Sequence, residues 1–129
     1  MLFRTIQDAR AAGPFSFEQL DRMLGSRTSA RLPGRWTTLV RTPHQSIAVQ
    51  YTNTKVVEWF RCGRVRIDSG GWWSVTTKNR INTYAPVSVW QNFGEWYVCW
   101  GYRFSAAGTR TTTRFTGPMD WKAGQLLGR

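Results

Sequence analysis

The 129-residue chain predicts a mainly β, α+β fold: short N-terminal helices, then a curled antiparallel sheet or small barrel with one short inserted helix. Three observations predict it. From Arg35 onward apolar and polar residues alternate with a period of two. The alternating runs are rich in β-branched and aromatic residues, and the breaks between them carry Gly, Asn and Pro. The length suits one domain, read as a helical segment and basic loop over 1–34 and an antiparallel β domain over 35–129. A hydrophobic fraction of 41% and an aromatic fraction of 15% supply a core and exclude a disordered chain.

Each element has its own warrant. Phe3, Ile6 and Ala9 fall at helical spacing between Leu2 and Ala12, and Gly13-Pro14 ends that helix. Ser16 and Gln19 form a capping box, Phe17, Leu20 and Leu24 share one face, and Gly25 closes the second helix. Ser26 to Gly34 is polar, basic and aperiodic, and reads as a loop. Strands are expected at Arg35–Thr42, Gln45–Thr52, Lys55–Phe60, Arg64–Ile67 and Trp72–Thr76. Thr77 then caps a helix over Lys78–Tyr84 that Pro86 stops. Val87–Gln91 and Glu95–Tyr102 follow as a hairpin around Asn92-Phe93-Gly94, and Thr109–Phe115 as a last strand. Short strand edges favour a closed or curled arrangement. Ile47, Val49 and Tyr51 read as one core face, joined by Val57 and Trp59, with Trp96 and Trp100 buried together.

The formal charge is +11, from 18 basic and 7 acidic residues, and 15 of the basic residues are Arg. Arg binds phosphate bidentately and stacks on bases, which suits a nucleic-acid partner; an Arg-favouring codon bias yields the same excess. Arg22, Arg27, Arg31, Arg35, Arg41 and Lys55 follow one another with no acid between them, an electrostatic footprint for a polyanion. Arg64 and Arg66 alternate with Val65 and Ile67 and form a basic stripe on the outer face, with Arg61 at its end. The ordinary reading of that stripe is a solvated edge that discourages aggregation. No basic amphipathic helix is long enough for a membrane surface.

The densest chemistry lies in Asp68-Ser69-Gly70-Gly71-Trp72-Trp73-Ser74-Val75-Thr76-Thr77-Lys78-Asn79-Arg80-Ile81-Asn82. On a strand, Trp72 and Trp73 point to opposite faces, so at most one enters a given core. The other, beside Lys78 and Arg80, makes a stacking platform with phosphate clamps. A bulge at Gly70-Gly71 with both rings packed is the competing arrangement. The helix start at Thr76-Thr77-Lys78 offers backbone N–H groups to one phosphate, although helix capping alone explains Thr77, and the Gly-x-x-x-x-Gly-Lys-Ser/Thr spacing of a nucleotide-hydrolase loop is missing.

Ser69-Gly70-Gly71-Trp72 followed by Thr76-Thr77-Lys78-Asn79-Arg80-Ile81-Asn82 resembles a family of small proteins of phages and of the bacteria and archaea that carry them. That signature runs as a glycine turn, a short apolar strand, Ser-Gly-Gly-Trp and Thr-x-Thr-Thr-Lys-x-Arg-Ile-Asn. Ser74 departs from it, since Thr is usual there. The likeness extends loosely to Ile47-Ala48-Val49 and Gly94-Glu95-Trp96-Tyr97-Val98, about half the chain. It implies a phage or mobile-element setting and no particular activity.

Catalysis finds little support. The acids Asp8, Glu18, Asp21, Glu58, Asp68, Glu95 and Asp120 are scattered singly, and the one histidine, His44, sits in a turn. Cys62 has Arg61 and Arg64 around it but no base beside it, so a catalytic thiol is not expected. Cys62 and Cys99 are too far apart in sequence for a Cys-x-x-Cys pair, so no catalytic residue, metal or cofactor is expected and both thiols are read as reduced. The start lacks an apolar stretch for a signal peptide and no run approaches membrane-spanning length, so a cytoplasmic protein is expected, in the host cytoplasm if phage-encoded.

The expectation is a non-enzymatic protein that binds DNA or RNA through a basic, aromatic face made of Arg35, Arg41, Arg61, Arg64, Arg66, Trp72, Trp73, Lys78 and Arg80. The alternative is a virion component or a host-defence inhibitor that uses the same Trp and Arg side chains as protein-interface anchors. A third reading is a pocket for an anionic, nucleotide-like small molecule.

Overall fold

A computed structural model describes residues 1–101 and 112–128. Helices α1 (Ile6–Ala12) and α2 (Phe17–Leu24) open the chain, followed by strands β1 (Ser29–Arg31), β2 (Thr37–Arg41), β3 (Ile47–Tyr51), β4 (Thr54–Trp59) and β5 (Arg64–Ile67). Helix α3 (Val75–Tyr84) comes next, then β6 (Val87–Asn92), β7 (Glu95–Trp100), β8 (Thr113–Arg114), β9 (Met119–Lys122) and β10 (Gln125–Leu126). Every strand pairing is antiparallel. One sheet runs in the order β1-β2-β3-β4-β5-β9-β10 and a second as β6-β7-β8, with no closed barrel among the described residues. The outermost strands of the large sheet, β1 and β10, are short, which leaves little edge for a foreign strand to join.

Local chemistry explains most boundaries. Ser16 Oγ accepts from the Gln19 N–H at 3.1 Å and caps α2, and Gly25 ends it. Phe17, Leu20 and Leu24 are buried in the same cluster as Leu39, Val49, Trp59, Ile81 and Val98, so helices and both sheets share one core. The register shifts between Val49 and Gln50 opposite β4. That bulge lets the adjacent Val56 and Val57 both be fully buried, against strict alternation.

Four expectations need correction. The Ser26–Gly34 loop contains β1, because Ser29, Ala30 and Arg31 pair with Val40, Leu39 and Thr38. Trp72–Thr76 is not a strand. The Trp72 N–H bonds back to the Ser69 carbonyl at 3.1 Å, and the Gly70 and Gly71 N–H groups are taken by Asp68 Oδ1 and Ser69 Oγ at 2.9 and 3.2 Å. This compact turn uses up the donors a ladder would need. Ser74, not Thr77, caps α3: its Oγ accepts the Thr77 N–H at 3.1 Å, and Thr77 is wholly buried inside the helix. Trp100 is only half-buried and packs on Trp121 at 5.8 Å between ring centroids, whereas Trp96 is buried against Trp73 and Phe115.

Besides β1, two further strands went unread. In β9, Met119 and Trp121 point inward and Asp120 and Lys122 outward, and Ala123 and Gly124, both at positive φ, turn the chain into β10. The last expected strand, Thr109–Phe115, lies outside the described residues over its first part, and β8 is the part that is described. Among the described residues no helix is long and apolar enough to cross a membrane.

Candidate nucleic-acid interface

The antiparallel meander gathers distant segments at one end of the large sheet. The start of β2, the β3–β4 turn and the end of β5 all lie there, since alternate strands run in opposite directions. The Trp36 carbonyl accepts the Thr52 N–H at 3.0 Å, which ties the approach to β2 to the β3–β4 turn. Gly70 lies so close to Thr54 that a Cβ there would fall 2.6 Å from its hydroxyl, which ties that turn to the Gly-Gly-Trp loop. Only a glycine fits at this contact, and its φ of +64° agrees.

Two large rings stand out from this end: Trp36 is 65% exposed and Trp72 is 66% exposed. The Arg35 guanidinium lies 5.4 Å from the Trp36 ring centroid. Trp73 is half-packed, edge-on to Trp96 at 5.0 Å and to Phe115 at 5.4 Å. Lys78 Nζ sits 5.3 Å from the Trp96 centroid, so the base of the loop is a cluster of rings under a cation. Both tryptophans of the motif keep exposed surface because the loop, not a strand, carries them. Among the described residues no carboxylate pairs with Arg35, Lys55, Lys78 or Arg80. Asp68 is at the same end, with Oδ1 occupied by the Gly70 N–H.

The expected site is therefore divided. Arg35, Trp72, Trp73, Lys78 and Arg80 come to this end, and the sequence did not single out Trp36, which joins them. Its sequence signal was a tryptophan between Arg35 and Thr37 at a strand start; the structure adds a φ of 58° that side-chain-bearing residues rarely adopt.

Arg41 is at the opposite end and fully engaged. It bonds the Asp21 carboxylate at 2.6 Å, the Gly25 carbonyl at 2.6 Å and the Arg27 carbonyl at 3.0 Å, closing the C-terminus of α2. Arg61 is exposed over the Phe17 ring at 4.7 Å. Arg64 and Arg66 stand on the outer face as alternation requires, but Asp120 reaches across from β9. Arg66 holds both its oxygens at 2.8 and 3.2 Å, and Arg64 lies 3.6 Å away. The hydrogen bond to Asp120 raises the Arg66 pKa further above its ordinary value. The stripe is thus partly neutralised by an acid distant in sequence.

Two further features escaped the sequence. Glu58 is buried and accepts the Ser46 hydroxyl, which in turn lies 2.5 Å from the Thr42 hydroxyl. An apolar cleft of about 1080 Å³ opens between the N-terminal helices, the β4–β5 turn and β6, lined by Phe15, Trp59, Tyr84, Trp90 and Trp100 among others. It sits away from the exposed tryptophans and holds no cluster of unpaired cations. Cys62 is exposed and Cys99 buried, and no disulfide joins them.

The chain matches no protein-family model, and neither a curated protein nor a solved structure is significantly similar to it.

Proposed function

We propose that the protein, of phage or mobile-element origin as its motif suggests, binds nucleic acid through the Trp36–Trp72 end of the large sheet. The carrying observation is that two tryptophans 36 positions apart in sequence are both about two-thirds exposed at one sheet end, among cations with no carboxylate partner. Exposed rings cost solvation unless something stacks on them, and unpaired bases do so for roughly 1–3 kcal/mol each. Arg35 and Lys78 supply phosphate contacts beside the rings, and the net charge of +11 draws the polyanion in. The face offers stacking and charge rather than base-edge readout, so binding is largely indifferent to sequence.

Anisotropy with labelled single-stranded DNA and RNA tests this. Trp36→Ala and Trp72→Ala should each weaken binding by about five- to 150-fold, the range of one stacked base. A second reading, a protein interface, draws on Phe93, which is 98% exposed at the tip of the β6–β7 hairpin. Variants that bind oligonucleotides like the parent would give that reading the lead.

A further inference from the structure

Arg80 does not behave like its neighbour Lys78. Only 6% of it is exposed. Its Nε donates to Thr37 Oγ1 at 2.9 Å, and the Thr37 hydroxyl is itself fixed by donating to the Arg35 carbonyl at 3.0 Å. Gly34, at a φ of +106°, lies flat against the guanidinium: a Cβ there would fall 2.6 Å from Cζ and from Nη2. The Tyr51 ring is on another side, its centroid 5.6 Å from Cζ. The guanidinium is thus held in one orientation by three segments.

Yet Nη1 and Nη2 make no hydrogen bond among the described residues, and no carboxylate pairs with them. Neither is among the sealed polar atoms, so the small residual exposure reaches these nitrogens. Burying an unpaired charge is strongly unfavourable. A lysine would escape by losing its proton, but an arginine cannot. A positioned, largely buried guanidinium whose Nη1/Nη2 edge has no protein partner among the described residues suits a bidentate oxyanion.

Resting on the nucleic-acid reading above, we infer that Arg80 is the seat for one phosphate monoester, the terminal phosphate of a strand or of a free nucleotide. The small exposure of Arg80, 6%, decides the class. An internal phosphodiester is flanked by sugars on both sides, whereas a monoester is slim, carries up to two charges and presents three oxygens. Trp36, two residues from Gly34 and largely exposed, is placed to stack on the base next to that phosphate.

The first measurement is an NMR titration of the Arg80 side-chain N–H signals with inorganic phosphate. A saturable shift is expected, and an unmoved signal would overturn the seat. The second compares a short oligonucleotide with and without a 5′-phosphate, alongside its 3′-phosphorylated form and the free mononucleotide. At least one phosphorylated form should bind about tenfold or more tightly than its unphosphorylated counterpart, the weight of one charge-assisted hydrogen-bonded contact. The form that gains separates a strand end from a nucleotide. Equal binding of all strands, with no response to phosphate, overturns the seat and leaves the nucleic-acid reading intact. Absent oligonucleotide binding with a phosphate response does the reverse.

Arg80→Met guards against a merely structural role. Replacing a buried unpaired charge by an apolar chain of similar length should leave the melting midpoint unchanged or higher, while removing the response to phosphate. A midpoint that falls sharply, with the phosphate response of the parent absent, would make Arg80 a packing residue.

Discussion

Single residues carry sharp consequences where polar chemistry is buried. Tyr84 is buried and donates its hydroxyl to the Pro33 carbonyl at 3.2 Å, and burial pushes its pKa up to about 12 while nearby Arg80 opposes the shift. The unfolded tyrosine titrates near 10. Between those values the unfolded chain binds fewer protons than the folded one, so stability falls as pH rises. The Tyr84 contribution is whole below pH 10 and is lost as pH climbs through about 12. Urea titrations at pH 9 and 11 should show a loss that Tyr84→Phe lacks; identical losses in both proteins would refute the assignment. Gly34→Ala meets two penalties, a positive φ and a Cβ 2.6 Å from the Arg80 guanidinium. It should destabilise by about 1–3 kcal/mol, the range for local strain, and a denaturation midpoint equal to the parent's would contradict this. Neither effect is legible in sequence, because Gly34 and Arg80 meet only through the packing of α3 against the sheet.

Elements show where periodicity is sufficient and where it fails. Arg64–Ile67 is read to the residue because Val65 and Ile67 bury while Arg64 and Arg66 do not, a pattern only a strand produces. The capping of α2 by Ser16 is equally local. Trp72–Thr76 misled because aromatic and β-branched residues favour strands, yet the turn at Ser69–Trp72 and the Ser74 cap override that propensity. Ser74 is thus what starts α3 just after the exposed rings. Ser74→Ala should cost about 1 kcal/mol and lower affinity for single strands, read by chemical denaturation and by anisotropy. An unchanged denaturation midpoint would show that the helix start is held by packing instead. β9 was unread because Met119-Asp120-Trp121-Lys122 carries no β-branched residue to mark a strand, and its role shows only in space, where Asp120 meets Arg64 and Arg66.

At the scale of the molecule, the charge surplus was plain in the sequence and its distribution was not. A linear reading groups Arg41, Arg61, Arg64 and Arg66 with Lys78 and Arg80, since it counts charges without their partners. Folding sends the first three to the far end of the sheet and gives Arg41 and Arg66 carboxylate partners, while Trp36 comes to the same sheet end as Trp72. The strand order also makes Trp36 and Trp72 neighbours in the functional sense, through a meander whose hydrophobic periods were legible. The most direct test of this account is the salt dependence of single-strand binding for the parent, for Arg35→Ala/Lys78→Ala and for Arg64→Ala/Arg66→Ala. If phosphates are met at the Trp36–Trp72 end, the parent's log–log slope is steep, and losing Arg35 and Lys78 flattens it by about 0.7 for each phosphate contact removed. The Arg64/Arg66 variant should keep the parent's slope. A flattened slope in that variant, with Arg35 and Lys78 dispensable, would contradict the account and move the binding face to the other end of the sheet.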